Sequence, residues 1–330
     1  MTALSLQTVE APREAPGMSA VPRPLRIALA GFGVVGQALA ENLKTRTGYE
    51  IVAILVRDPA RPRAARPPVP LTADRKAFLE TPADILIDVL SCAETGALLS
   101  EWALGRGVHV VSASKRVVSG CLPLLRAAAG GSGAELLYSA AVGGGAPVLE
   151  TVAAARSRGE IVSVEGVLNG TVGYILTRLA AGQGYADALA QARLAGFAEE
   201  DPSEDLSGAD AAAKLRLIAA EAWSADPRTV DVETQALDKA AVARIESSGE
   251  PWVQLARVTR DAASVTLVPL RLAPQLPPVG DEANCAVVTL ADGTLLTCSG
   301  RGAGGDPTSA SILTDLARLS AALAAESATC

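Results

Sequence analysis

The chain has 330 residues, 49% hydrophobic but only 3% aromatic, and a formal net charge of -7. That length allows two domains with cores of Ala, Val, Leu and Ile, and the acidic balance gives no electrostatic basis for binding nucleic acid. No apolar run reaches the roughly 20 residues that span a bilayer, so no membrane partner is expected. Five cysteines without a C-x-x-C pair fit reduced thiols in the cytoplasm, and a single histidine, His109 in an apolar strand-like run, excludes a histidine-built metal site.

In chain order, residues 1–24 carry prolines, Glu10 and Glu14 without an apolar stretch, and are expected to form a disordered tail. Residues 25–30 read as a short strand, followed by a glycine turn and by 34–43 at helical spacing. A second strand, 49–56, ends at Arg57. The apolar runs 85–90 and 108–112 are further strands, with the helical stretch 94–105 between them. Such alternation predicts an α/β fold with a Rossmann-like, doubly wound parallel sheet and right-handed crossovers. Residues 136–138 form another strand entering the glycines 143–145, and 147–156 read as a helix. The pattern then changes to a strand at 162–168, a turn at Asn169-Gly170, and helices at 174–181, 185–195 and 209–223, with Gly196 closing the second. Residues 253–297 alternate as a half-exposed sheet does, and a last helix covers 309–326. The expected division is a nucleotide-binding domain at 25–145, an α+β catalytic and dimerisation domain at 146–304, and a helix in 305–330 packing back on the first.

Two features carry chemistry. The first is A-G-F-G-V-V-G, residues 30–36, between a strand and a helix with a second strand ending about 20 residues on, the context of a dinucleotide-binding turn. Gly31 permits the tight turn, Gly33 admits a pyrophosphate, Gly36 allows close helix packing, and Phe32, Val34 and Val35 complete the cofactor-binding set. At the end of the second strand stands Arg57, with Arg61 and Arg63 nearby, where NAD sites place an acid; a guanidinium suits a 2′-phosphate, so NADP is favoured and NAD is the alternative. These arginines also suit a solubilised proline-rich loop.

The second feature is Glu199 to Lys214, where Glu199, Asp201, Glu204 and Asp205 crowd ahead of Asp210 and Lys214. Asp210 and Lys214 share one helical face. A salt-bridged, solvated stripe fits that spacing, and Asp205 and Ser207 are placed to cap the helix. The density of like charge, however, calls for a cation such as a substrate ammonium.

Here the residues resemble homoserine dehydrogenases. The resemblance runs through G-F-G-V-V-G, S-A-S-K-R at 112–116, A-V-G-G-G-A-P at 141–147, N-G-T-V-G-Y-I-L at 169–176, G-F-A-E-E-D-P-S-E-D-L-S-G-A-D-A-A-A-K-L at 196–215 and the closing G-R-G-A-G-G-D-P-T. It implies NAD(P)-dependent, reversible reduction of L-aspartate 4-semialdehyde to L-homoserine in threonine and methionine biosynthesis, by a homodimer. It implies Lys214 as proton donor, Lys115 as a second lysine beside the reacting group and the nicotinamide, Glu199 and Asp210 as substrate ligands with Asp205 in support, and cofactor contacts at Gly196 and Gly302. Other readings are an NADP oxidoreductase for a different amino-acid semialdehyde and a noncatalytic NADP-binding regulator.

The sequence departs from the family pattern at four positions. A sodium site is implied at the carbonyls of Val142, Gly144 and Ala146, but Ser139 stands where an acid is usual and is a poorer ligand for a hard cation. Val172 and Gly173 replace two polar residues, and Ser114 replaces an asparagine. Feedback control through a C-terminal ACT module is not expected.

Overall fold

The computed structural model describes residues 6–8, 23–278, 280–302 and 304–329. Leu6–Thr8 forms a strand, β1, within the expected tail; residues 1–5 and 9–22 lie outside the described residues. The chain divides into two compact units, one of residues 12–141 and 304–330, the other of 1–11 and 142–303.

The first unit begins with β2 (Leu25–Ala30), α1 (Val34–Leu43), β3 (Tyr49–Leu55), β4 (Leu71–Thr72) and α2 (Arg75–Glu80). It continues through β5 (Ile85–Asp88), α3 (Ala93–Leu104), β6 (His109–Ser112), α4 (Lys115–Ser132) and β7 (Leu136–Leu137). All six strands are parallel, in the order β4-β3-β2-β5-β6-β7. The winding reverses between β2 and β5, so the ligand crevice of a doubly wound sheet falls at their carboxyl ends. Burial on both faces explains the continuous apolar runs. Ile27 and Leu29 join Leu39 and Ile54 on one face, while Ala28 and Ala30 join Phe78, Leu99, Val117 and Leu125 on the other.

The second unit holds α5 (Val148–Arg158), β8 (Ile161–Val167), α6 (Gly170–Ala180), α7 (Tyr185–Leu194), α8 (Ser203–Leu206) and α9 (Ala209–Trp223). After these come β9 (Glu233–Thr234), α10 (Lys239–Ser248), β10 (Trp252–Thr259), β11 (Ala263–Pro269), β12 (Ala283–Leu290) and β13 (Leu295–Arg301). Its seven-stranded sheet runs β1-β13-β12-β8-β10-β11-β9 and is antiparallel from β13 to β11. Alternate residues of β10 and β11, among them Ala256, Val258, Val265 and Leu267, are buried.

The last helix, α11 (Gly305–Thr329), belongs to the first unit. Its Ile312, Leu316 and Leu319 enter the core with Leu39, and Asn42 and Tyr49 hydrogen-bond Ser309 and Ser320, each at 2.9 Å. No helix among the described residues is long and apolar enough to cross a membrane.

Candidate active site

In the first unit the glycine turn links β2 to α1. Gly31 has φ +111°, and a Cβ there would lie 2.8 Å from the Val89 carbonyl, so only glycine suits the position. A Cβ on Gly36 would collide with the Gly31 carbonyl, whereas one on Gly33 would meet nothing within 4 Å. Gly33 is also the N-cap of α1, without a side-chain cap and with no acid in the first turn. The helix therefore offers uncapped amides and its positive dipole end beside an open cradle, which fits a pyrophosphate. Phe32 is buried beneath the turn and Val34 is 73% exposed above it.

Beyond β3, Arg57 and Arg61 are exposed. Arg63 serves the loop itself: its guanidinium donates to the carbonyls of Asp58 at 2.8 Å and Arg61 at 2.6 Å. Asp58 accepts the Ala60 amide at 2.9 Å, an Asx turn. Arg57, the arginine singled out in the sequence, and Arg61 beside it stay exposed. Lys115 is half-buried as the first residue of α4, and Ser114 caps that helix by accepting the Val117 amide at 3.4 Å. A serine thus does the capping work of the asparagine it replaces.

In the second unit the acidic span becomes a bonded network. Lys214 Nζ contacts Asp210 Oδ2 at 2.7 Å, with the two side chains only 12% and 11% exposed, and also donates to the Leu168 carbonyl. Asn169 is the hub. Its Nδ2 donates to Asp205 Oδ1 at 2.7 Å and to Asp210 Oδ2 at 3.0 Å, while its Oδ1 accepts the Val172 amide and caps α6. The Thr171 hydroxyl lies 2.6 Å from the Phe197 carbonyl and 3.1 Å from Asp205 Oδ2. Asn169 and Thr171 were missed as site residues; the available signal was an N-G-T directly after a strand, where an Asn cap still has both amide protons to place. Burial pushes the Asp205 carboxyl above its ordinary range, against the opposing Asn169 hydrogen bond.

One expectation changes. Asp205 does not cap the lysine helix: α9 starts at Gly208, with φ +83°, and Ser207 Oγ accepts the Ala209 amide at 3.4 Å. Glu199 is exposed and makes no hydrogen bond or ion pair with the described residues, so it stands outside the network. Gly196, with φ +78°, ends α7 as read from sequence, its amide donating to the Arg193 carbonyl at 3.0 Å.

The departures at 172 and 173 are matters of packing. Val172 is fully buried in the core with Ile175 and Leu237. A Cβ on Gly173 would lie 2.9 Å from the Asp281 carbonyl, and one on Gly170 2.8 Å from that of Glu282. The loop before β12 presses on α6 at these two glycines.

The motifs containing Gly143–Gly145 and Gly302 meet. The Gly145 amide donates to the Arg301 carbonyl at 2.9 Å, Asn284 Nδ2 donates to the Gly143 carbonyl at 3.2 Å, and the Gly302 amide donates to Glu282 at 3.2 Å. Val142, Gly144 and Ala146 lie in this loop, and the Ala146 carbonyl accepts the Val148 amide at 2.8 Å. Ser139, in the first unit, gives its hydroxyl to Asp315 Oδ1 at 2.7 Å and its amide to Oδ2 at 3.0 Å. The side chain at 139 is thereby committed to Asp315 within its own unit. Among the described residues no group of three or more His, Cys, Asp or Glu is arranged to hold a metal. Cys285 and Cys298 are buried, which raises both thiols to about 11 and makes them poor nucleophiles at neutral pH.

Residues 147–317 match the family model of homoserine dehydrogenase, more than half of the chain, and residues 31–139 match that of the homoserine dehydrogenase NAD binding domain. The chain belongs to the homoserine dehydrogenase family. The homoserine dehydrogenase of Corynebacterium glutamicum is 31% identical over 313 residues, 88% of this chain and 70% of that protein. The NAD(+)-dependent homoserine dehydrogenase of Pseudomonas canavaninivorans is 27% identical, over 88% of this chain and 95% of its own. A crystal structure of a homoserine dehydrogenase described as putative, from Archaeoglobus fulgidus, matches at TM-score 0.76 and 29% identity, covering 89% of this chain and 99% of that one. The chain is an oxidoreductase of the homoserine dehydrogenase family with an NAD(P)-binding domain.

Proposed function

We propose that this enzyme reversibly reduces L-aspartate 4-semialdehyde to L-homoserine with Lys214 as proton donor, and that NADP is its preferred cofactor. The carrying observation is the Lys214–Asp210–Asn169–Asp205 network at the start of α9. When bound, the nicotinamide exchanges a hydride with the carbonyl carbon. The chain must hold the amino acid, favour negative charge on the carbonyl oxygen and deliver one proton. An ammonium has three N–H donors; Asp210 and the Leu168 carbonyl engage two of those on Lys214, leaving the third for the substrate oxygen. Glu199 and Asp210 attract the substrate ammonium, and Asp205 holds Asn169 in place. Lys115 is the second lysine of the reaction, at the amino end of α4.

The NADP preference rests on exposed Arg57 and Arg61 at the end of β3, where Asp58 is tied into its own turn. The relative named NAD(+)-dependent keeps NAD as the competing reading. A homodimer through the half-exposed sheet of residues 253–297 and a cytoplasmic location complete the proposal.

Steady-state oxidation of NADPH and NADH with L-aspartate 4-semialdehyde tests it, with and without sodium. Wild-type turnover preferring NADPH, unaffected by sodium and abolished in Lys214→Ala, is the expected result. No turnover with this aldehyde, set beside turnover of another semialdehyde, would reject the substrate assignment.

A further inference from the structure

The carboxyl edge of the nucleotide sheet carries an acid that the proposed reaction does not use. Asp88 ends β5 and is fully buried, following Ile85, Leu86 and Ile87. Two loops converge on its carboxylate. One oxygen accepts the Leu90 amide at 3.1 Å and the other the Ser112 hydroxyl at 3.0 Å. Ser112 Oγ accepts the Ser114 amide at 3.2 Å, and Ser114 Oγ accepts the Val117 amide, capping the helix that opens with Lys115. The backbone repeats the link, since the Ala113 amide donates to the Asp88 carbonyl at 2.9 Å. Gly96 in α3 makes room: a Cβ there would lie 2.9 and 3.1 Å from the Asp88 oxygens and 2.8 Å from Val117 Cγ2.

A buried carboxylate is an expensive way to end an apolar strand. Desolvation raises its pKa from 3.8 to about 6, over the opposing effect of the Leu90 and Ser112 hydrogen bonds. An aliphatic side chain would fill the same space without that penalty, and no cation neutralises the group among its bonded partners. What the carboxylate does that an aliphatic group cannot is orient the Ser112 hydroxyl. With its proton committed to Asp88, the Ser112 oxygen presents its lone pairs to the Ser114 amide, one residue before Lys115.

We propose that Asp88 is a positioning residue for Lys115. Acting through Ser112, it fixes residues 112–114 and hence the first turn of α4, beside the crevice where a doubly wound sheet takes its cofactor. The assignment rests on the reading of Lys115 as a lysine of the reaction. Misplacement of a reacting group by about 1 Å costs on the order of 100-fold in rate, which sets the scale of loss expected when the Ser112 anchor is removed.

The test uses the full chain and the variants Asp88→Ala, Asp88→Asn, Lys115→Ala and Asp88→Ala/Lys115→Ala. Asp88→Ala is expected to lower kcat about 10- to 100-fold, with KM for NADPH and for aspartate semialdehyde within about two-fold of wild type. Asp88→Asn, which keeps an oxygen for Ser112, should recover most of the rate. The double variant should be no slower than Lys115→Ala. Amide hydrogen exchange over residues 112–118 should quicken in Asp88→Ala and stay near wild type in Asp88→Asn. Multiplicative losses in the double variant, equal losses in the Ala and Asn variants, or unchanged exchange over 112–118 would each overturn the proposal. If Asp88→Ala does not fold, Ser112→Ala supplies the same rate and exchange readouts. If the wild type turns over no aspartate semialdehyde, the function reading fails by itself, and the exchange result alone decides whether Asp88 orders the turn.

Discussion

Replacing Lys214 with methionine separates the electrostatics of the site from its chemistry. Methionine keeps an unbranched, nearly isosteric side chain and removes only the charge and its donors. In the wild type two carboxylates face one ammonium: Asp210 lies 2.7 Å from Lys214 Nζ, and Asp205 shares the Asn169 amide with Asp210. Without Lys214, Asp205 and Asp210 keep their bonds to Asn169, and Asp205 its bond to Thr171, but lose the ammonium between them. Removing one partner of a buried ion pair costs roughly 3–5 kcal/mol, and with side chains 12% and 11% exposed the lower end applies, about 3 kcal/mol at pH 8. The sign of the pH dependence follows from Asp205, whose carboxyl burial already raises above its ordinary range. A carboxyl with a raised native pKa binds its proton more tightly folded than unfolded, so it stabilises at low pH and that stability is lost as pH rises through the native pKa. The variant's deficit should therefore shrink between pH 8 and pH 5. Urea unfolding at the two pH values, followed by tryptophan fluorescence from Trp223 on α9 and Trp252 on β10, measures it. A deficit below about 1 kcal/mol that is the same at both pH values would refute the view of Lys214 as counter-charge to the two acids. In the same preparation kcat should fall about 10²- to 10⁴-fold, with NADPH binding retained.

Asp88→Asn should change stability with pH in a defined way. Its native pKa of about 6 against 3.8 corresponds to about 3 kcal/mol, present in the wild type below pH 4 and lost by pH 7, so the variant gains on the wild type over that interval in thermal or urea unfolding. A stability difference independent of pH would exclude the buried carboxylate as its source. Gly173→Asn should cost about 1–3 kcal/mol because its Cβ lands 2.9 Å from the Asp281 carbonyl; an unchanged Tm would show that the loop yields freely. Gln254→Leu should stabilise by about 1 kcal/mol, since both amide atoms of Gln254 are buried without a hydrogen-bond partner among the described residues. A lower Tm would mean that the amide is hydrogen-bonded in solution.

What the sequence revealed depended on how local the constraint was. The glycine turn was readable because Gly31 takes a positive φ and Gly36 packs on the Gly31 carbonyl five residues back. Gly196 was readable for the same reason, as the left-handed residue after α7. Helix α4 was not read: Gly120, Pro123, Gly130 and Gly131 lower its local propensity, and Val117, Leu122, Leu125 and Ala129 hold it helical by tertiary burial. Asn169-Gly170 was read as a turn with the helix opening at 174, but Asn169 caps residues 170–173 into the first turn of α6. The Ser139–Asp315 pair, separated by 176 positions, has no local signal at all. Gly173 looked like a lost polar contact because the loop it packs against lies more than 100 residues away.

The acidic span divides its carboxylates by burial, and the division bears on mechanism. Asp205 and Asp210 are tied to Asn169, Thr171 and Lys214, so their geometry is set before any substrate arrives. Preorganisation of this kind lets an ammonium stabilise a developing oxyanion without rearrangement. Asp205, Asp210 and Lys214 together carry one excess negative charge, and the ammonium of an amino acid would balance it. Glu199 is exposed and unengaged, which is the state expected of a side chain that meets ligand and not of one that holds the frame. Its removal should therefore raise KM for the amino acid and leave the Lys214 network standing, whereas removal of Asn169 should take a hydrogen-bond donor from both buried acids at once. That asymmetry distinguishes a built proton donor from the surface salt bridge that the i,i+4 spacing alone describes.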